Sequence, residues 1–99
     1  MGAIPFNAVD WLDVFPALDN TERFNLLIDL ANNGQKSFAE IKKDSGLPSS
    51  SVEHHLTKLM DAQLIVNDYQ VPLKPGRAYS YYKITSRGKD ILDILLKST

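Results

Sequence analysis

The sequence predicts a mainly α domain with one small β-hairpin, an α+β fold. Three observations carry that expectation. Apolar residues recur at helical spacing in several stretches, as Phe24, Leu27, Ile28 and Ala31 do at i, i+3, i+4 and i+7. Late in the chain the period shortens, and Val, Ile and Tyr crowd two runs around a proline-rich segment. Glycine and proline fall almost always where the period changes, which is where a chain turns.

The elements follow in order. Residues 6–15 read as a short helix, with Pro5 suited to its first turn and Pro16 ending it. Asp19 and Glu22 have capping-box spacing and open a second helix running to Gly34. Ser37-Phe38-Ala39-Glu40 repeats the capping box and opens a helix of about two turns to Ser45. Gly46 is placed to cap it in the left-handed conformation, and Leu47-Pro48 turns the chain into a fourth helix, about 49–62. Strands over 64–71 and 78–84 flank Pro72-Leu73-Lys74-Pro75-Gly76-Arg77, a long hairpin loop. Thr85 can cap a last helix to about Lys97, with Asp90 and Lys97 favourably placed on its dipole.

The 99 residues suit one domain, which buries roughly two thirds of its unfolded surface without staples. With no cysteine there is no disulfide, thiolate metal site or cysteine nucleophile. No uninterrupted apolar run exceeds that of Ile94-Leu95-Leu96, and no basic segment precedes an apolar one at the start. A cytoplasmic protein with no membrane contact is expected. Nucleophile elbow, phosphate loop and metal-plus-base motifs are all missing, so neither an enzyme nor a cofactor is expected.

A short helix joined through a glycine turn to a second one, about 37–62, has the helix-turn-helix pattern. The hairpin that follows, about 64–84, makes the unit winged, and the whole chain, 1–99, forms this one domain. From Leu18 to Leu96 the chain also resembles the arsenical-repressor (ArsR-like) family of winged helix-turn-helix regulators. The resemblance lies in Leu18-Asp19-Asn20-Thr21-Glu22-Arg23, Phe38-Ala39-Glu40-Ile41, Gly46-Leu47-Pro48 and Tyr82-Lys83-Ile84-Thr85-Ser86-Arg87-Gly88-Lys89. Its most specific part is Ser49-Ser50-Ser51-Val52-Glu53-His54-His55-Leu56-Thr57-Lys58-Leu59, similar to the family's S-x-V-x-x-H-L-x-x-L. At Ala62-Gln63-Leu64-Ile65 relatives usually read Ala-Gly-Leu-Val. The family's metal ligands do not carry over: there is no cysteine, and the last helix holds only Asp90 and Asp93 without a histidine. Lys42 stands where relatives favour alanine, so its stem would have to snorkel outward.

The resemblance implies a transcriptional regulator that binds double-stranded DNA. On a helical wheel Val52, Leu56, Leu59 and Met60 converge on one face, with Ser50, Ser51, His54, Thr57 and Lys58 broadly opposite. Ser49, Ser50 and His54 are candidates for base edges in the major groove; Ser51, His55 and Lys58 suit phosphates. His55 lies beside the core edge, so it either packs or bonds a phosphate. Adjacent helical histidines diverge by about 100° and cannot chelate one ion. Glu53 is read first as completing a capping box with Ser50 and second as an acceptor for cytosine N4. Lys74 and Arg77 place cations at the wing tip, where phosphates or the minor groove lie within reach. Alternation puts Tyr82 and Ile84 on the core face, and no tyrosine is assigned to bases.

In ArsR-like proteins the first and last helices form a dimer interface, here about 6–15 and 86–97. Both are more apolar than one domain face needs, the last over about 200° of its circumference. Val9, Trp11, Leu12, Phe15, Ile91, Leu92, Leu95 and Leu96 are the candidates. A homodimer on an imperfect palindrome is the leading expectation; the alternative is a winged-helix adaptor docking another protein. Net charge is −1, yet residues 1–35 hold five acids and one base, while 36–89 hold nine bases and five acids. The sum hides a basic motif-and-wing segment beside an acidic N-terminal one, which would orient approach to a polyanion.

Overall fold

The computed structural model describes residues 8–70 and 79–97, without the side chains of 8–11, 13, 69, 70 and 79. Helices α1 (Ala8–Leu18) and α2 (Thr21–Asn33) are followed by a short strand, β1 (Lys36–Ser37). Helices α3 (Phe38–Ser45) and α4 (Ser49–Asp61) come next, then strands β2 (Ile65–Gln70) and β3 (Tyr79–Ile84) and helix α5 (Ser86–Lys97). The sheet is antiparallel in the order β1-β3-β2, with Ile65 opposite Ile84, Gln70 opposite Tyr79, and Lys36 opposite Tyr82. The mainly α architecture with a hairpin is the one the sequence predicts.

Local chemistry explains most boundaries. Ser37 Oγ accepts from the Glu40 N–H at 3.2 Å while Glu40 accepts from the Ser37 N–H at 3.1 Å, a complete capping box at the start of α3. Gly46 ends α3 at φ 71°, ψ 11°, the left-handed region a side chain resists. Thr85 Oγ1 accepts from the Gly88 N–H at 3.0 Å and so caps α5.

Three expectations need correction. Pro16 does not end α1, which runs on to Leu18. In the last turn a proline costs the helix only one of its hydrogen bonds. The cap of α2 is Asn20 rather than Asp19, its Oδ1 accepting from the Arg23 N–H at 2.9 Å. Glu22 is thereby released from capping. The Ser50–Glu53 box does not form: Pro48 is the N-cap of α4, without a side-chain cap, and Ser50 already lies inside the first turn. Beyond α4, Gln63 adopts φ 62°, at the position where the resembled family has glycine, a strain of roughly 1–2 kcal/mol.

The core is a single cluster of Val14, Leu26, Leu27, Leu30, Ile41, Val52, Leu56, Leu59, Leu64, Ile65, Ile91 and Leu92 with smaller neighbours. Tyr82 and Ile84 pack against it from β3, as alternation predicts. Burial, aided by the charge of Glu53, pushes the Tyr82 hydroxyl above the usual tyrosine range. Gly88 permits the closest approach: a Cβ there would collide with the Leu64 carbonyl oxygen and lie 2.6 Å from Ile84 Cγ1.

Candidate nucleic-acid interface

Helix α4 has two chemically opposite faces. Val52, Leu56 and Leu59 are at most 1% exposed, and Met60 lies half-buried beside them. The outer face carries Ser49, Ser50, His54, Thr57 and Lys58, all exposed, with Ser51 half-buried at its edge. Hydroxyls, an imidazole and an amine on one helical face can donate to and accept from base edges and phosphates. Glu53 is also exposed on this helix.

Helix α3 presents this face. The Gly46 N–H donates to the Lys42 carbonyl at 3.0 Å, and three residues later α4 begins. Lys36, the first residue of β1, holds α3 against α2. Its Nζ lies 2.6 Å from both Asp29 Oδ2 of α2 and Asp44 Oδ2 of α3. The hydrogen bond from Lys36 holds the Asp29 carboxyl below its ordinary range, partly opposed by burial. The two carboxylates raise Lys36 above its own. Lys42 is exposed, so the core never has to accommodate its amine.

His55 faces the other way. It is 5% exposed, and its ring nitrogens meet Arg23 Nε and Glu22 Oε2, each at 3.3 Å. Contrary to expectation, His55 is not placed to meet a phosphate, because its polar atoms are engaged inside the domain. Lys74 and Arg77 lie outside the described residues, so their expected contacts stay expectations. Among the described residues no group of His, Asp and Glu could hold a metal ion.

A second surface is apolar. Leu12, Phe15 and Leu96 are 70%, 56% and 52% exposed. Phe15, Leu18, Phe24 and Leu95 line a groove of about 630 Å³ along α1, α2 and α5. Ile91 and Leu92, expected at an interface, are instead 0% and 4% exposed within the domain's own core. The side chains of Val9 and Trp11 lie outside the described residues. Among those residues no helix is long and apolar enough to cross a membrane.

No protein-family model and no curated protein matches the chain. Solved structures do. A transcriptional regulator homologue protein from Pyrococcus horikoshii superposes with a TM-score of 0.74 at 20% identity, over 91% of this chain and 87% of that one. HlyU from Vibrio cholerae gives 0.72 at 19% identity, over 95% and 96%. Mb0332 from Mycobacterium bovis, a homodimeric winged helix-turn-helix DNA-binding domain and a possible ArsR-family regulator, gives 0.69 at 21%, over 91% and 77%. The fold is a winged helix-turn-helix. Helices α3 and α4 are consecutive, and strands β2 and β3 that follow them pair antiparallel.

Two features escaped the sequence reading. Strand β1 has only two residues, too few to alternate visibly. Arg23 stands in the sequence only as a motif position, yet it is 7% exposed and bonds both α1 and α4. A charged residue flanked by apolar ones on a core-facing stripe was the available signal.

Proposed function

We propose that the protein is a sequence-specific, double-stranded-DNA-binding transcriptional regulator of ArsR-like type, acting in the cytoplasm as a homodimer. The observation that carries this reading is the outer face of α4. Its exposed serines, His54 and Lys58 stand opposite a fully buried aliphatic face, the arrangement a recognition helix needs to enter the major groove. Ser49, Ser50 and His54 would meet base edges, Ser51 and Lys58 phosphates, and the wing cations Lys74 and Arg77 the flanking backbone. The exposed Leu12, Phe15 and Leu96, with the half-buried Leu95, would be covered by a second copy. Two recognition helices related by a two-fold axis then read an imperfect palindrome with half-sites about one turn apart.

Selection from a random duplex pool tests this directly. Enriched sequences should show two related half-sites, and binding should weaken steeply with salt. Failure to bind any duplex at low ionic strength overturns the reading in favour of a protein-docking module.

A further inference from the structure

Three polar residues that this reading leaves unassigned, Glu22, Arg23 and His55, meet in one place. Arg23 Nη1 donates to the Pro16 and Ala17 carbonyls at 3.2 and 3.1 Å. Both belong to the last turn of α1, whose carbonyls have no partners within the helix. Arg23 Nε donates to His55 Nδ1 on α4 at 3.3 Å. A guanidinium has only donors, so Nδ1 must be unprotonated to accept. The proton of the neutral ring then sits on Nε2, facing Glu22 Oε2 at 3.3 Å. One buried cation thus joins the end of α1 to the inner side of α4, and Glu22 stands where it can accept from the tautomer that permits it.

The two helices so joined carry the two exposed faces. Helix α1 presents Leu12 and Phe15, and α4 presents His54, whose ring centroid is 5.9 Å from that of His55. A roll of α4 by about 20° would carry a side chain on its ~5–6 Å radius through about 2 Å. Recognition geometry tolerates only about 0.5 Å and 10–20°. We propose that Arg23 and His55, oriented by Glu22, are positioning residues that lock the recognition helix to the dimer-side helix. They thereby set the pose in which the two α4 helices of a dimer reach DNA. This inference rests on the DNA-binding reading above.

The test uses duplexes enriched by the wild-type protein, with an arbitrary duplex as control. His55→Phe keeps the ring shape but has no acceptor. It should lose about tenfold affinity for the enriched duplex, as expected for a hydrogen bond to a charged group. Its affinity for the arbitrary duplex and its dimer dissociation constant should stay within about threefold, a difference under ~0.7 kcal/mol. His55→Gln supplies an acceptor for Arg23 and a donor for Glu22 and should recover most of the loss. Glu22 is exposed, so its variants keep the fold even if His55→Phe does not. Glu22→Gln and Glu22→Ala remove the same charge, but only Gln retains an acceptor, and it should bind the enriched duplex more tightly. Nitrogen-15 spectra of the imidazoles should show His55 as the Nε2–H tautomer.

Positioning is overturned if His55→Phe binds like wild type, if His55→Gln is as weak as His55→Phe, if the two Glu22 variants bind alike, or if the Nδ1–H tautomer is found. Failure of the wild type to enrich any duplex overturns the functional reading itself, and the positioning role with it.

Discussion

The two exposed faces of this domain differ in what they ask of a partner. The outer side of α4 offers hydroxyls, an imidazole and an amine above a sealed aliphatic core. The α1–α5 side offers Leu12, Phe15 and Leu96 to water beside an apolar groove. The first face suits a polar, hydrated, charged surface, where specificity comes from hydrogen-bond pattern and affinity from released counterions. The second gains only by being dehydrated, at about 1.5–3 kcal/mol for each large side chain fully covered. Changes on the two faces should therefore register in different measurements.

The largest effect is expected on the apolar face. Leu12→Glu or Phe15→Glu should weaken dimerisation by about a hundredfold, from lost burial and a desolvated carboxylate. Equilibrium sedimentation measures it, and binding to the two-half-site duplex should fall in parallel. A monomeric wild type at tens of micromolar breaks the comparison at once. Next comes His54→Ala, which should leave the dimer intact and relax preference at one base pair by about 1–3 kcal/mol, read by repeating the duplex selection. Lys58→Ala should weaken all sequences alike and reduce the salt slope by about one phosphate's worth per protomer, seen in titrations at several ionic strengths.

The smallest effect concerns pH. Asp29 is held below its ordinary 3.8 by Lys36, so its contribution is complete above 3.8 and is lost as pH falls through the lower folded value. Lys36 is raised above 10.5, so its own contribution is complete below 10.5 and lost as pH rises through the higher folded value. The stability gap between wild type and Lys36→Met should be flat between these limits and narrow beyond them. Denaturant melts across pH measure that gap. Hydrogen exchange in acid should then show α3 loosening before α5, because this ion-pair network holds α3 while α5 packs through leucines and isoleucines.

What was legible in the sequence was local. The Ser37–Glu40 box, the Gly46 turn and the Thr85 cap each depend on residues three or four apart, and each is found. The α2 cap shifted by one residue because Asp19 and Asn20 are about equally good caps. What stayed hidden depends on distant parts of the chain. The Arg23–His55 bond spans 32 positions, and no spacing rule announces it. A helical wheel found α5 apolar around much of its circumference. It could not tell that Ile91 and Leu92 meet the domain's own core while Leu96 faces out. At Gly88 the motif named the residue, but only the fold supplied the Leu64 carbonyl it must avoid.

The Thr85 hydroxyl, besides capping α5, donates to the Gln63 carbonyl at 2.7 Å, and the Thr85 N–H donates to the Leu64 carbonyl at 3.0 Å. These bonds fasten the two ends of the hairpin where it leaves the body of the domain, and the ladder from Ile65–Ile84 to Gln70–Tyr79 continues the pairing outward. Register errors are therefore the ones this junction resists most: a one-residue slip of β3 would turn Tyr82 and Ile84 away from the core and break the Thr85 bonds.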